Sequence, residues 1–195
     1  VNALPANVVN PMLVQCDTGM AADGITQFNL HQADMLLMQG NPDNNLTVEY
    51  YASIADVAEG PALTSTYTNT SNPQITAAKV TNTDTGCVRV MELMLQVNTN
   101  NTAPVELERC DDDGTEDGRA QFDLTDAGLE TTADHVTYYA FLNDALQEQN
   151  AMSADYTNVM VNFQSVYARL ENNNDCVALQ EIKLIVRPLP DIDID

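Results

Sequence analysis

One block of this sequence occurs twice, and that internal repeat constrains the fold more than any other feature. The stretch QCDTGMAADGITQFNL begins at residue 15 and RCDDDGTEDGRAQFDL at residue 109, with the Cys, the Asp-Gly pair and the Phe at the same offsets. Further matches follow in the same order: VEYYASIAD with VTYYAFLND, YTN with YTN, and QITAAKVTN with QSVYARLEN. The repeat predicts two homologous modules, at residues 14–98 and 105–190.

The segments outside the two modules are short and rich in Pro and Asn, which is typical of linkers that limit bending. The chain opens with VNALPANVV, its centre reads VNTNNTAP, and it closes with IVRPLPDIDID. We interpret residues 1–13 as the end of a preceding module with its linker, and 99–104 as the central linker. Residues 191–195 then begin a further linker, so we expect an array of more than two modules.

Each module reads as all-β. In the segment CVRVMELMLQV, Leu93, Leu95 and Val97 alternate with more polar residues, and Ile182 and Leu184 continue the same pattern in the second module. Short apolar runs near 25–30, 46–52, 65–68 and 75–81 are separated by Asn, Asp, Gly, Pro and Thr. HQADMLLMQ and SIADVAE predict single helical turns between strands. About seven strands in roughly ninety residues favour an immunoglobulin-like β-sandwich.

The chain is strongly acidic, with 29 Asp and Glu against 7 Lys and Arg among 195 residues and a net charge of −22. This balance excludes nucleic acid and anionic membranes as partners, because both require a basic surface. No apolar run approaches the length of a membrane span, so the sequence predicts neither a transmembrane segment nor a signal peptide. A surface this acidic can either keep the protein soluble or bind cations. The spacing of the acidic residues indicates which of these two roles applies.

The four cysteines fall two in each module, at equivalent places. Three pairings are possible, and the symmetry of the modules favours Cys16–Cys87 and Cys110–Cys176. Each bond would tie the entry of a module to its last strand, which makes one disulfide per module. The alternative of four free thiols suits a cytosolic protein, and a zinc site would need closely spaced ligand pairs that are absent. We therefore expect an oxidising environment outside the cytoplasm.

The order of motifs resembles the tandem repeats of giant Bacteroidetes surface proteins, including gliding-motility adhesins exported by the type IX secretion system. CDDDGTEDGRAQFDL, VTYYAFLNDA, YARLENNNDC and VRPLP carry the resemblance in module two; CDTGMAADGITQFNL, SNPQI, TNTDTGC and VNALP carry it in module one. Module one ends in VNTNN rather than PLP, and module two has VNFQ where NPQ is expected. The resemblance implies an extracellular, cell-surface stalk or adhesive module whose partners are neighbouring repeats, surface glycans or other surface proteins.

The repeated acidic loop is the candidate metal site. Calcium takes six to eight hard oxygens in flexible geometry, and Asp alternating with Gly in a loop can supply them. The predicted ligands are Asp111, Asp113, Glu116 and Asp117 in module two, and Asp17 and Asp23 in module one, where Asp84 is a further candidate. The spacing is not that of an EF-hand, because Phe122 stands where a ligating Glu would fall. The alternative is that Asp17 and Asp111 cap turns while the other acids are solvated.

The sequence motifs give little support for a catalytic function, and we expect the protein not to be an enzyme. His31 and His135 occupy non-equivalent positions, and no nucleophile with a neighbouring base is suggested. Two other functions remain as alternatives to a structural or adhesive repeat. One is a carbohydrate- or ice-binding module, with one tyrosine of each pair, Tyr50–Tyr51 and Tyr138–Tyr139, lining a sugar platform, or with the Thr-rich LTSTYTNTS facing ice. The other is an accessory domain of a secreted hydrolase.

Overall fold

A computed structural model describes residues 5–17, 23–39, 45–99, 103–173 and 175–190. The chain divides into two compact units, Val1–Thr99 and Asn100–Asp195, which we call module 1 and module 2. Parts of the predicted linkers, at 1–4, 100–102 and 191–195, lie outside the described residues. In the part of the chain that is described, every helix is too short or too polar to cross a bilayer.

Module 1 is a sandwich of a four-stranded and a two-stranded sheet. Its strands are β1 Met12–Cys16, β2 Gln27–Asn29, β3 Leu46–Tyr51, β4 Thr66–Thr68, β5 Gln74–Asn82 and β6 Val88–Asn98. The larger sheet has the order β1-β6-β5-β3, and β2 pairs with β4. A 3-10 helix, Leu30–Ala33, and the helical turns α1, Asp34–Leu37, and α2, Asp56–Glu59, connect the strands. The predicted helical turns are therefore confirmed.

Module 2 repeats this arrangement element by element. Its strands are β7 Val105–Cys110, β8 Gln121–Asp123, β9 His135–Tyr139, β10 Asp155–Thr157, β11 Phe163–Asn172 and β12 Asp175–Arg187. The larger sheet has the order β7-β12-β11-β9, and β8 pairs with β10. Two 3-10 helices, Leu124–Ala127 and Leu129–Thr131, and the helix α3, Leu142–Gln147, connect them. The prediction of two tandem β-sandwich modules is confirmed.

The register of the strands aligns the two modules residue by residue. In module 1 Tyr50 lies opposite Ala78, and in module 2 Tyr138 lies opposite Ala168. The first strand of each module runs parallel to the last, with Cys16 opposite Asn98 in β1 and β6. In β7 and β12 the equivalent partners are Cys110 and Arg187. These pairs define which residues of the two modules correspond.

The core of each module lies between its two sheets, on the alternating faces that the sequence predicts. Leu93, Leu95 and Val97 of β6 are buried, as are Ile182, Leu184 and Val186 of β12. A phenylalanine from the small sheet, Phe28 or Phe122, is fully buried against them. The Phe that both copies of the repeated block share therefore fills the space between the two sheets of its module.

The predicted disulfides are wrong. Cys87 and Cys110 are free thiols, whereas Cys16 and Cys176 are disulfide-bonded, so the one disulfide of the chain joins Cys16 to Cys176. The parallel pairing explains why a module cannot bond its own cysteines. Cys16 lies opposite Asn98 at the end of β6, but Cys87 precedes the start of that strand.

The distance between the two cysteines of a module follows from the length of its last strand. The interval from Cys87 to Asn98 is 98 − 87 = 11 residues, and the interval from Cys176 to Arg187 is 187 − 176 = 11. At about 3.3 Å per residue, eleven residues of strand span about 36 Å. Since a disulfide requires Cα atoms within about 7 Å, the two cysteines of one module lie too far apart to pair.

Candidate metal centre

In both modules the first Asp of the repeated block accepts a hydrogen bond from the backbone N–H of the Gly seven residues later. In module 2 the Gly118 N–H donates to Asp111 Oδ2 at 2.8 Å. In module 1 the Gly24 N–H donates to Asp17 Oδ2 at 2.7 Å. The first Asp thus fixes the loop after the first strand by accepting a backbone hydrogen bond seven residues later.

A buried asparagine holds the other side of this turn. Asn158 Oδ1 accepts from the Ala120 N–H at 2.8 Å, and its Nδ2 donates to the Gly118 and Met160 carbonyls at 3.0 and 2.7 Å. Asn69 makes the equivalent three hydrogen bonds in module 1. Because these backbone groups are shielded from water, the asparagine replaces the solvent they would otherwise bind. This residue is the Asn of the YTN motif that both modules contain.

The glycine of the turn is required by its backbone. Gly118 has φ +73°, a left-handed conformation that side chains disfavour. A Cβ on Gly118 would also stand 2.4 Å from Val161 Cγ1 and 2.5 Å from Asn162 Oδ1. Gly24 has φ +76°, and its Cβ would stand 3.0 Å from Asn72 Cβ. The turn therefore tolerates only glycine in module 2 and is somewhat less crowded in module 1.

Three of the predicted acids in module 2 converge. One carboxylate oxygen from each of Asp111, Asp113 and Asp117 lies within 4.8 Å of the other two. Glu116 is exposed and does not join this group, which we call the acid triad. Among the described residues, the acid triad is the one group of three or more Asp, Glu, His and Cys side chains close enough to hold a metal ion.

Asp111 is the unusual member of the acid triad, because it is only 4% exposed. Its Oδ2 accepts from Gly118, but its Oδ1 is buried and accepts no hydrogen bond from any described residue. A buried carboxylate oxygen without a partner is costly, and a bound cation would satisfy it. This orphaned oxygen distinguishes the acid triad from a set of solvated acids.

The other two members of the acid triad are exposed and anchored by local hydrogen bonds. Asp113 Oδ1 accepts from the Thr115 N–H and the Thr115 hydroxyl, each at 2.9 Å. These hydrogen bonds lower the pKa of Asp113 below its usual range, so the carboxylate is ionised. Asp117 Oδ1 accepts from the Arg119 N–H at 3.0 Å. Each keeps a second oxygen that could face a cation.

Module 1 retains the anchoring part of this loop. Asp23 Oδ1 accepts from the Ile25 N–H at 2.9 Å, just as Asp117 accepts from Arg119. Residues 18–22, between Asp17 and Asp23, lie outside the described residues, so a metal site there stays a prediction. Asp84 Oδ2 instead accepts from Asn45 Nδ2 at 3.0 Å, in the turn before β6.

The tyrosine pairs do not form a sugar platform, and that part of the carbohydrate-binding hypothesis is wrong. All four rings, of Tyr50, Tyr51, Tyr138 and Tyr139, are buried. The Tyr50 hydroxyl donates to Asp34 Oδ1 at 2.5 Å, and the Tyr138 hydroxyl donates to a Glu130 carboxylate oxygen. Burial, aided by the adjacent carboxylate, raises the pKa of both phenols well above their ordinary value.

The histidines lie at the surface with ordinary neighbours. His31 Nδ1 is 2.9 Å from Asp34 Oδ2, and its ring meets the edge of Tyr50. His135 begins β9 and is exposed. Neither histidine lies beside a nucleophile in the contacts described, which matches their place outside the motifs.

A buried ion cluster in module 2 was not predicted from the sequence. Arg169 on β11 is 1% exposed, and its guanidinium lies 2.7 Å from both Glu148 Oε1 and Glu171 Oε1. Its Nη1 also donates to the Ala145 carbonyl of α3 at 3.3 Å. Arg169 lies on the face of β11 opposite the core residues Val166, Ala168 and Leu170. The helix α3 and the residues after it cover that face.

The family comparison matches nearly the whole chain. The profile described as the Flavobacterium inter-domain disulphide bond domain matches residues 12–101 and 106–190. The two matches fall on the two modules, and the Cys16–Cys176 bond is a disulfide of the kind that the description names. No curated protein matches the chain.

Three solved structures that resemble the chain do so distantly, each with a TM-score of 0.21. An endo-fucoidan hydrolase, MfFcnA4, of glycoside hydrolase family 107 is 12% identical over 97% of this chain and 31% of its own. The fibronectin(III)-like modules of Clostridium thermocellum CbhA are 7% identical, over 99% of this chain and 98% of theirs. Plasmodium falciparum protein Pf12p is 8% identical, over 95% of each chain. The chain spans under a third of the hydrolase, and similarities at this level carry no argument about function.

Proposed function

Because the chain belongs to the Flavobacterium inter-domain disulphide bond domain family, we propose that it is a non-catalytic structural repeat of an extracellular surface protein. The observation that carries this proposal is the disulfide between Cys16 of module 1 and Cys176 of module 2. A covalent bond between consecutive modules restricts their separation, which suits a stalk rather than a catalyst. Disulfides also persist outside the reducing cytoplasm.

In the finer form of this proposal, the parent protein is a cell-surface adhesin of the Bacteroidetes type, exported by the type IX system for gliding motility. The repeats hold adhesive segments away from the cell and contact mainly one another. Sequence resemblance supports this form, together with the acidic surface, which suits an exposed extracellular position. Glycans and other surface proteins are then partners of the parent protein rather than of these two modules.

A test compares the wild type with the Cys16→Ser/Cys176→Ser variant. We expect the variant to be cleaved several-fold faster by a broad-specificity protease in the junction around residues 99–104, because the modules can separate more widely. We expect no saturable binding of the wild type to a panel of polysaccharides. Equal cleavage of the two proteins would contradict the structural role, and saturable polysaccharide binding would favour the carbohydrate-binding alternative.

Calcium at the acid triad is the second part of the proposal. Asp111, Asp113 and Asp117 supply three carboxylates, and backbone carbonyls and water complete the six to eight oxygens that calcium takes. The orphaned Oδ1 of Asp111 is the strongest support, since a buried anionic oxygen needs a positive partner. The ion would tie the loop after β7 to the turn at Gly118. The net charge of −22 further favours cation binding.

The calcium proposal is tested by thermal unfolding and calorimetry on the whole chain. Binding to the folded state at a hundredfold excess over Kd stabilises by about 2.7 kcal/mol, which raises the Tm of a domain this size by on the order of 10 °C. Magnesium at equal ionic strength should do much less, because it demands tight octahedral geometry. Equal shifts with both ions would reduce the effect to screening of charge.

A matched pair of variants separates the ligand role from the turn. Asp117→Asn and Asp23→Asn each keep an oxygen that accepts the backbone N–H two residues later. Only Asp117 belongs to the acid triad. We expect Asp117→Asn to remove most of the calcium increment and Asp23→Asn to leave it. An Asp117→Asn variant that responds like the wild type would contradict the site.

A further inference from the structure

The loop that precedes the second-to-last strand is apolar in module 2 and polar in module 1. Residues 159–163, VMVNF, follow β10 and end at the first residue of β11, and we call them the apolar loop. The side chains of Val159, Met160 and Val161 are 61%, 61% and 55% exposed. Residues 70–73 of module 1, TSNP, occupy the same place between β4 and β5 and are one residue fewer. The fold therefore does not require apolar side chains at this position.

In module 2 the main chain of Asn162 joins the turn at Gly118 to the last strand. The Asn162 N–H donates to the Gly118 carbonyl at 2.8 Å, and the Asn162 carbonyl accepts from the Val186 N–H of β12 at 2.9 Å. The Gly118 N–H in turn donates to Oδ2 of Asp111, the buried member of the acid triad. A series of hydrogen bonds thus runs from the acid triad through the apolar loop to the last strand.

Module 1 fastens its loop to the last strand with a side chain instead. Asn72 Oδ1 accepts from the Val97 N–H at 2.8 Å, and Asn72 Nδ2 donates to the Val97 carbonyl at 2.9 Å. The strand register shows that Val97 of β6 corresponds to Val186 of β12. These two hydrogen bonds hold the loop of module 1 on its last strand without passing through the turn at Gly24.

A cation at the acid triad acts on the apolar loop through the series of hydrogen bonds in module 2. The carboxylates of the acid triad place oxygens within 4.8 Å of one another, and like charges at this separation repel. Asp111 is 4% exposed, and its Oδ1 has no hydrogen-bond partner among the described residues, so an ion both removes the repulsion and satisfies this oxygen. An ion held between Asp111 and Asp117 fixes the turn at Gly118, whose carbonyl accepts from Asn162.

We propose that calcium at the acid triad controls the closure of the apolar loop on the last strand of module 2. With the ion bound, the turn at Gly118 holds Asn162 and the loop stays closed. Without the ion, the loop opens locally and the Val186 N–H loses its acceptor. The inference rests on the calcium part of the proposed function and adds the element that the ion regulates. We expect no such dependence in module 1, because Asn72 closes that loop directly.

The regulated element lies at the end of module 2 where its last strand finishes. The carbonyl of Arg187, the last residue of β12, accepts from the Asp111 N–H at 2.9 Å, so the acid triad borders this end of the strand as well. Each opening of the loop also moves the three exposed apolar side chains, Val159, Met160 and Val161. Local openings of this kind are the events that amide exchange and proteases detect. Calcium therefore sets how often this end of the module is accessible.

Hydrogen exchange on the whole chain, resolved by peptide, tests the proposal. Exchange is measured with calcium at a hundredfold excess over the Kd that calorimetry gives, and with magnesium at equal ionic strength. If opening of the loop released the ion completely, exchange would slow by 1 + [L]/Kd, which sets an upper limit of about a hundredfold. We expect residues 159–163 to exchange about tenfold more slowly with calcium, while residues 70–73 of module 1 change little.

A loop-swap variant provides the matched control. Residues 159–163 are replaced by TSNP, the four residues of module 1, so that an Asn side chain can fasten the loop to Val186. Calorimetry should still show calcium binding, because Asp111, Asp113 and Asp117 are unchanged, but exchange in the swapped loop should no longer depend on calcium. Asp117→Asn keeps the apolar loop and lacks one carboxylate of the acid triad, and it should also lose the dependence.

The outcomes separate control of the loop from the calcium site itself. Calcium that binds but slows exchange equally throughout module 2, or leaves the apolar loop unchanged, would overturn control of the loop and leave the calcium site intact. A loop-swap variant that responds like the wild type would overturn it as well. If calorimetry shows no calcium binding, both the site and its control of the loop fail, and the protease comparison of the disulfide variant is unaffected.

Discussion

In module 2 the guanidinium of Arg169 is buried between two carboxylates, whereas Lys79, at the equivalent position of β5, pairs with Glu49 at 2.8 Å near the surface. The two modules therefore place the cationic side chain at this position differently: it is buried in module 2 and lies near the surface in module 1. The turn network is the same in both modules, because the Asp and Gly of the repeated block and the Asn of the YTN motif make equivalent hydrogen bonds. The two modules therefore share the hydrogen bonds that satisfy buried backbone groups, and they differ in the side chains that cover the face of the large sheet away from the core.

The largest expected difference between the modules comes from removing the cation at these equivalent positions. Arg169→Met keeps the side chain's bulk but leaves Glu148 and Glu171 without a countercharge, which should cost about 3–5 kcal/mol in module 2. Lys79→Met breaks a partly exposed pair and should cost under about 1 kcal/mol in module 1. Hydrogen exchange resolved by peptide assigns each loss to its module. Equal losses would show that the burial of Arg169 is energetically unimportant.

The shared asparagine should give equal effects in both modules. Asn158→Ala and Asn69→Ala each remove three hydrogen bonds and leave shielded backbone groups unsatisfied, so we expect about 3 kcal/mol from either. Urea unfolding combined with hydrogen exchange measures both. If the two losses differed by more than about 1 kcal/mol, the two turns would differ in energy although their hydrogen bonds are equivalent.

The crowding at the turn glycine should distinguish the modules more finely. Gly118→Ala combines left-handed strain with overlap against Val161 and Asn162, and we expect a loss of about 2–3 kcal/mol. Gly24→Ala should cost less, because its nearest neighbour is 3.0 Å away. The control is Gly128→Ala, where φ is +69° and no atom lies within 4 Å, so about 1 kcal/mol of strain alone is expected. Equal losses at Gly118 and Gly128 would disprove the overlap.

The smallest expected effect is a pH dependence confined to module 2. Burial raises the pKa of Glu148 from its ordinary 4.5 to about 6, despite the opposing charge of Arg169. The folded state therefore holds a proton that the unfolded state releases, and this contribution is present below pH 4.5 and lost as pH rises through 6. Because the carboxylate is partly exposed, we expect a loss of about 1 kcal/mol or less.

The difference between the wild type and Glu148→Gln isolates that contribution. Urea midpoints at pH 4 and pH 7 should show the wild type losing stability relative to the variant as pH rises. Gly60 occupies the position of module 1 that is equivalent to Glu148, so the exchange rates of module 1, corrected for intrinsic chemistry, should not follow this difference. A wild type that gains stability relative to Glu148→Gln over this window would reverse the sign and contradict the raised pKa.

Much of the fold is predictable from the sequence because it depends on local pattern. The alternation of apolar and polar residues predicted that Leu93 and Ile182 lie in the core, and the repeated block indicated which turns of the two modules are equivalent. The disulfide was mispredicted because repetition shows which cysteines correspond but not which copy a cysteine bonds. The parallel direction of β1 relative to β6 decided that question, and strand direction is a property of the topology rather than of residue type.

The candidate site was predicted in part. The acid-rich loop indicated a cation site, and Asp111, Asp113 and Asp117 do converge, but spacing could not separate them from Glu116, which does not join the group. Arg169 was missed because it occupies an outward strand position that α3 covers. The sequence signal that could have indicated this cluster is the opposite charge of Arg169 and Glu171, which lie two residues apart on the same face of β11. The burial of this ion pair depends on α3, which is distant from it in sequence.

The parallel pairing of first and last strands has a mechanical consequence for each module. When the Cys16–Cys176 disulfide is reduced and the chain is pulled at both ends, tension acts on the start of β1 and the end of β6, which drives the two strands past each other lengthwise. The backbone hydrogen bonds from Met12 to Cys16 are then loaded in shear and must break together, instead of breaking one after another. Single-molecule stretching should therefore show a higher rupture force through the natural termini than through anchor points that peel β3 from β5.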